Sequence, residues 1–291
     1  MDEKSLERIP RFSWGEIKKH LEAKAPFEVI SPMASALIRV KRYEPLIALA
    51  IHAGHRVREE MTVKMSIEED ERLHEEDVHV EQFIAEAPIQ MIGLDSRFEY
   101  DVNRPRGNSV YLKPMESWGK KVWRTPPSKD ELEISYQKYD EFHELLEFIV
   151  ETITGYFPKP VILDLHSYNY RRQSYNGKEN SLPVLNLGTT ALDRKKHAKS
   201  IDRALSDLAA IKLPGVPMVV KENDVFKGNG AVAKAMASKF PESLLLNIEI
   251  KKVYMNEENG DFHPAILNAL KESLHKFART TMEQFAGFKS T

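Results

Sequence analysis

Short apolar runs alternate along the chain with longer stretches whose apolar residues step by three or four. The runs at 46–52, 89–94, 161–165, 183–187, 216–220 and 244–250 predict β-strands. The clearest helix spans 129–156, where Leu132, Tyr136, Tyr139, Phe142, Leu146, Ile149 and Ile153 make one stripe. Ser128 and Glu131 stand at capping-box spacing just after Pro126 and Pro127. Further helices are expected over 192–211, 231–240 and 264–285. Pro264 suits a first helical position, and Leu267, Leu270, Leu274 and Phe277 form the last stripe. Strands alternating with helices imply an α/β fold: three αβα layers around a mixed, largely parallel central sheet. We expect one domain over residues 1–291, with residues 1–40 as an N-terminal extension packed on it. Ligands of such sheets bind beyond the carboxyl ends of the strands, so polar residues there are the first to inspect.

Two stretches break the alternation. Residues 56–81 carry ten carboxylates against four Arg or Lys. Residues 103–125 form a basic excursion, with Arg104, Arg106, Lys113, Lys120, Lys121 and Arg124 interleaved with Tyr111, Trp118 and Trp123. Long excursions of this kind serve as lids or binding loops, or simply as solvated surface.

Composition narrows the chemistry. Lys and Arg total 42 and Asp and Glu total 44, a net charge of −2, which gives no general attraction to nucleic acid or an anionic membrane. There is no cysteine, so thiolate nucleophiles, disulfides and Cys-based metal sites are excluded and any metal must use His and carboxylates. The charged start, MDEKSLERIP, lacks the apolar core of a secretory signal, and no run approaches the ~20 apolar residues of a membrane span. A cytoplasmic location is the expectation.

Several motifs fail on geometry. His74-Glu75 with His79 imitates HExxH, but five residues turn a helix by about 500°, so the second imidazole points ~140° away from the first. No G-x-S-x-G elbow or Walker A sequence occurs. Gly228-Asn229-Gly230-Ala231-Val232-Ala233 matches G-x-G-x-x-A, yet seven residues separate it from the preceding apolar run, where a dinucleotide fingerprint needs a tight strand–Gly–helix turn.

What survives is a constellation at strand ends. His52 closes 46–51 and His166 closes 161–165. Two such imidazoles with an acidic segment between them point to a metal, although either could be a satisfied structural histidine. Asp164 shares a strand face with His166 and could orient its ring or cap a loop. Glu76, Asp77 or His55 could complete a three-ligand site with an open position. Glu249 sits near the end of the strongly apolar run 244–250, where burial would raise its pKa toward that of a general base; an ion pair with Lys251 or Lys252 is the alternative. Arg97, Asn103 and Arg104 could clamp an anionic substrate, or form loop ion pairs with Asp95, Glu99 or Asp101.

In order, these blocks resemble the N-formylglutamate amidohydrolase family, metal-dependent amidohydrolases related in fold to zinc carboxypeptidases and aspartoacylase. The blocks are His52-Ala53-Gly54, Glu76-Asp77 opening a helix, Arg97 with Asp101-x-Asn103-Arg104, and Asp164-Leu165-His166-Ser167. Asn223 with Lys227-Gly228, and Ile248-Glu249-Ile250 with Tyr254-Met255, complete them. The resemblance implies a phosphorylase/hydrolase-like, zinc-carboxypeptidase-like fold. It also implies one divalent metal, Zn2+, on His52, Asp77 and His166 (Glu76 as substitute), Glu249 as general base, and Asn103 with Arg104 as the carboxylate clamp. Arg97 would hold a second anion or polarise the carbonyl. The substrate implied is a small anionic N-acyl amino acid such as N-formyl-L-glutamate, cleaved to formate and the amino acid. Departures are Ala53 for the usual Ser, Val78 for an aromatic, and the two arginines of Tyr168-Asn169-Tyr170-Arg171-Arg172. A metallopeptidase acting on a small peptide or cross-link amide, a non-catalytic ligand-binding member of the fold, and a nucleotide-dependent oxidoreductase using 228–233 are the competing readings.

Overall fold

The computed structural model describes residues 3–289. Its strands are β1 (Phe27–Ile30), β2 (Ala36–Val40), β3 (Leu46–Ala50), β4 (Ile89–Gly93), β5 (Val161–Tyr168), β6 (Leu185–Gly188), β7 (Val220–Glu222) and β8 (Leu244–Lys251). The helices are α1 (Glu3–Leu6), α2 (Trp14–Glu22), α3 (Glu59–Thr62), α4 (Glu69–Glu75), α5 (Lys129–Tyr156), α6 (Ala198–Ala209), α7 (Ala231–Lys239) and α8 (Pro264–Ala286). All eight strands join one sheet in the order β1-β2-β4-β3-β5-β8-β6-β7. The central four, β4, β3, β5 and β8, are parallel, while β2 runs against β4 and β6 runs against β8. This is the mixed, mostly parallel α/β sheet that the alternation implies.

The pleat explains both the core and the site. Successive side chains of a strand face opposite ways. Leu46, Ala48, Ala50, Leu163, Leu165, Leu244, Leu246, Ile248 and Ile250 pack on one face with Leu208 of α6 and Leu270, Leu274 and Phe277 of α8. Ile47, Leu49, Ile162 and Leu245 pack on the other with Phe142, Leu146, Ile149 and Ile153 of α5 and Met236 of α7. On that second face the apolar sequence stops at the carboxyl ends: after Ile162 come Asp164 and His166, and after Leu245 come Asn247 and Glu249. The change from apolar to polar within one strand face marks where the helical layer ends and the site begins.

Helix α5 forms as the sequence demands. Ser128 accepts from the backbone N–H of Glu131, and the Glu131 side chain accepts from that of Ser128, a reciprocal capping box. Its buried Glu141 reaches the β1–β2 turn and accepts from Ser31 Oγ (2.8 Å), Met33 N (2.6 Å) and Ser35 Oγ (2.6 Å). Glu141→Ala would leave these donors unanswered in the interior. We expect a loss of about 3 kcal/mol or more in urea unfolding, with Glu141→Gln losing less.

Four expectations need correction. Residues 27–40, read as part of an extension, supply β1 and β2, which join the sheet through the pairing of β2 with β4 and of β1 with β2. The strand expected at 216–220 is displaced to β7: Leu213 bridges Val216 across a tight turn, Pro217 has no N–H to give, and the ladder to β6 starts at Val220. The helix expected from 192 begins only at Ala198, because Asp193 Oδ1 accepts from the N–H groups of Lys195 and Lys196 and holds a turn there. Glu76 and Asp77 do not open a helix. They follow α4, whose end carbonyl at His74 is taken by Lys252 Nζ (2.7 Å) and Asn169 Nδ2 (2.7 Å), while Lys252 also donates to Glu76 O (2.9 Å).

Candidate metal centre and active site

Three elements deliver three ligand atoms to one point. His52 lies just past β3, His166 is near the end of β5, and Asp77 enters from the loop after α4, its N–H bonded to His52 O (3.2 Å). Asp77 Oδ2 stands 3.2 Å from His166 Nδ1 and 3.5 Å from His52 Nδ1, and the three residues offer ligand atoms all within 4.8 Å of one another. All three residues are buried. The far ring nitrogens face carboxylates. His52 Nε2 is bonded to Asp101 Oδ1 at 2.7 Å, and His166 Nε2 lies 3.1 Å from Asp164 Oδ2, a contact whose alignment falls short of a hydrogen bond. Asn247 Nδ2 donates to Asp164 Oδ2 (2.6 Å). Carboxylates behind both imidazoles orient the opposite nitrogens and raise their basicity, as behind metal-ligating histidines.

The donor set fits a divalent cation. His52 Nδ1 is buried and without a hydrogen-bond partner, an orphan that a metal would satisfy. Ligand atoms on a tetrahedral zinc stand ~3.3 Å apart at bond lengths of about 2.05 Å, close to the two separations from Asp77. Charge agrees. Although burial opposes ionisation, His166 and His52 hold the Asp77 carboxyl far below its ordinary range, and Arg97 and His52 do the same for Asp101. Burial likewise disfavours the His166 cation, yet Asp164 and Asp77 raise its pKa well above the usual value. Buried carboxylates thus crowd a site that calls for positive charge.

Glu249 sits beside this cluster, directly across the β5–β8 ladder from His166 and with Asn186 of β6 on its other side. Its carboxyl is pushed up to about 7, chiefly by burial and further by Asp77, with His166, His52 and Arg97 acting against the shift. The neighbouring lysines do not pair with it: Lys251 Nζ donates to Glu179 O (2.6 Å) and Lys252 to the helix-end carbonyls. Between Glu249's ordinary pKa of 4.5 and about 7, the folded protein keeps a proton that the unfolded chain releases. Its contribution to stability is therefore full below 4.5 and is lost as pH rises through about 7, on the order of 3 kcal/mol for the metal-free protein. Glu249→Gln should flatten that part of the stability–pH curve, read as the difference between the two proteins in chemical denaturation.

Around these groups the strand ends open into a cleft of about 870 Å3, which Arg97, Asn103, Arg104 and Trp118 also line. Arg97 is held by Asp101 Oδ2 (2.7 Å) and Tyr111 OH (3.3 Å) and lies over Trp118, so the loop ion pair and the placement in the cleft both hold for it. Arg104 stacks on Tyr111 and donates to Glu116 O (3.0 Å), and among the described residues no carboxylate pairs with it. Arg172 is tied to Glu75 and lies over Trp118.

Some expected residues stand elsewhere. Glu76 is fully buried between His55 Nδ1 (2.7 Å) and Ser96 Oγ, so neither it nor His55 joins the three ligand atoms. His74 bonds Glu257 O (2.8 Å), apart from His79. The glycine motif is spent on close packing. Gly228 (φ 64°) rests on the backbone of Gly188, and a Cβ on Gly230 would come within 2.0 Å of Asn103 Oδ1. β7 and β8 on either side of α7 run in opposite directions with β6 between them, so the parallel unit of a dinucleotide site is not formed. Sequence reasoning missed Asp101 behind His52, Asn247 and Lys252. The sequence offers Asp101 only as a loop ion-pair partner and as part of the Asp101-x-Asn103-Arg104 block, not as the carboxylate behind His52.

Fold and site together define an α/β protein of the hydrolase kind with a candidate His–Asp–His metal centre. The chain belongs to the N-formylglutamate amidohydrolase family, whose model matches residues 44–255. It is similar in structure to N-formylglutamate amidohydrolase from Ralstonia eutropha, at 18% identity and a TM-score of 0.67, over 86% of this chain and 98% of that one. A gene product of Agrobacterium tumefaciens is similar at 14% identity and a TM-score of 0.63, over 86% and 95%. No curated protein matches the chain in sequence. No helix among the described residues is long and apolar enough to cross a membrane.

Proposed function

We propose that the chain is a zinc-dependent amidohydrolase that cleaves N-formyl or short N-acyl amino acids, N-formyl-L-glutamate among them, to the carboxylate and the free amino acid. The observation that carries this reading is the meeting of His52 Nδ1, His166 Nδ1 and Asp77 Oδ2 beside a buried Glu249, in a chain of that family.

His52, Asp77 and His166 would hold the cation, with Asp101 and Asp164 fixing the two rings. When bound, such a cation supplies Lewis acidity, lowering the pKa of water from about 15.7 toward ~7 and polarising a carbonyl. Glu249 takes the proton of the attacking water and passes it to the departing amine nitrogen. Burial raises the Glu249 carboxyl above its ordinary range in the metal-free protein, the direction that makes a carboxylate a stronger base. Arg97, locked by Asp101 and Tyr111, offers a fixed positive charge to the developing oxyanion. Arg104, with Asn103 braced against α7 through Val232 N (3.3 Å), takes the substrate carboxylate.

The test is release of formate from N-formyl amino acids by protein of measured zinc content. Turnover that appears with zinc and disappears on chelation supports the reading. Fully zinc-loaded protein inert toward every N-acyl amino acid tried would remove it. The cleft volume of about 870 Å3 favours a second reading, a metallopeptidase on a small peptide or cross-link amide, which substrates of increasing length would reveal.

A further inference from the structure

We propose that Tyr168, Val225 and Phe226, with Tyr175 and Leu182 at the same end of the cleft, form an apolar subsite for an apolar group of the substrate. Amides carrying such a group would then be preferred over N-formylglutamate. The inference rests on the amidohydrolase reading and narrows its substrate class.

The placement follows from the sheet. Tyr168 shares a face of β5 with His166, two residues further on, its hydroxyl is engaged by Pro183 O, and its buried ring forms the floor on which Phe226 rests. Phe226 meets that ring edge-on with centroids 5.6 Å apart. The loop bearing Phe226 is fixed to the catalytic strands. Asn186, opposite Glu249 in the ladder, accepts from Asp224 N (2.9 Å) and Val225 N (3.0 Å), and its Nδ2 donates to Phe226 O (2.8 Å). A phenyl ring 37% exposed is therefore held rigidly in the cleft, a few side chains from the proposed base. Water gains nothing from such a surface, whereas an apolar ligand group gains by covering it.

Three cations of the cleft are committed: Arg97 pairs with Asp101, Arg172 with Glu75, and the buried Lys252 bonds the carbonyls at the end of α4. With Arg104 assigned to one carboxylate, two exposed lysines of the lining are left to meet a second, Lys234 on α7 and Lys227, whose partners are neutral carbonyls. The cleft volume of about 870 Å3 also lies toward the top of the roughly 300–1,000 Å3 typical of drug-sized ligands, more room than a formyl amino acid fills.

The first test needs no turnover: titration calorimetry of 3-phenylpropanoate and of glutarate into the zinc-loaded protein. The expected result is at least about tenfold tighter binding of 3-phenylpropanoate, lost in Phe226→Ala, with glutarate binding unchanged by that substitution. Phe226 is a surface residue of the cleft, so its truncation spares the core. Tighter binding of glutarate, or a Phe226→Ala variant that binds 3-phenylpropanoate as the parent does, overturns the subsite and, in the first case, points to Lys227 or Lys234. The second test compares kcat/KM for N-formyl-L-phenylalanine, N-hexanoyl-L-glutamate and N-formyl-L-glutamate. A gain in the first places the subsite on the amino-acid side chain, and a gain in the second places it on the acyl chain. No gain in either overturns it. If zinc-loaded protein hydrolyses none of the three, the amidohydrolase reading fails, while the binding ratio still decides the subsite.

Discussion

Glu249→Gln should lower kcat by about 10²- to 10⁴-fold while leaving one zinc bound per chain. The amide keeps the shape and burial of the carboxyl at the end of β8 but cannot take a proton from water. Because Glu249 is not among the three converging ligand atoms, metal content is the control: elemental analysis of parent and variant should agree. Hydrolysis at the parental rate by the zinc-loaded variant would eliminate Glu249 as the base. Loss of zinc along with activity would instead make it a ligand. The buried environment that raises its pKa to about 7 also predicts that Glu249→Asp will not restore the rate, since a shorter side chain withdraws the proton acceptor from the reacting water.

The second large effect is on binding. Asp77→Ala should abolish zinc affinity and the thermal stabilisation that zinc confers. A ligand at 1,000 times its Kd adds about 4 kcal/mol to the native state. For a chain of this size that corresponds to a rise in Tm on the order of 10 °C. Asp77 Oδ2 is the atom that both Nδ1 atoms face, so its removal breaks the site from the centre. The metal-free variant should also be less stable than the metal-free parent, because the ionised Asp77 is paired with His166 and His52 and its removal leaves both imidazoles buried without that partner. A zinc-dependent Tm shift of parental size in Asp77→Ala would show that the cation binds elsewhere, for instance at Glu76 and His55. Differential scanning calorimetry with and without zinc reads both halves of the prediction.

The consequences of the two substitutions differ because the residues reach the site by different routes. Glu249 and His166 are neighbours in a parallel ladder, set by register and by the pleat. Asp77 comes from a loop whose path depends on side chains far away in sequence. Lys252 and Asn169 take the carbonyls at the end of α4, and Tyr254 OH donates to Val78 O (2.9 Å), so residues after β5 and β8 hold the segment that carries Asp77. Substitutions at Lys252 or Tyr254 are therefore expected to weaken zinc binding from a distance, as a zinc titration of each variant would read.

Local pattern was enough to determine much of this protein. The apolar stripe and capping box define α5, and the apolar runs define β3, β5 and β8. The residues that interrupt those runs, His52, Asp164, His166 and Glu249, announce themselves because a polar side chain at the end of a buried strand needs a reason. Tertiary structure alone decided the rest. It brought Asp77, and neither Glu76 nor His55, beside the two imidazoles, since a loop's backbone path, not its composition, determines which carboxylate points inward. It put Asp101 behind His52, turned residues 27–40 into sheet strands, and converted the glycine motif from an apparent nucleotide loop into a packing contact with Asn103 and Gly188. Periodicity encodes which face of an element is buried, whereas contacts between residues distant in sequence depend on how the elements pack, and no single stretch of chain carries that information.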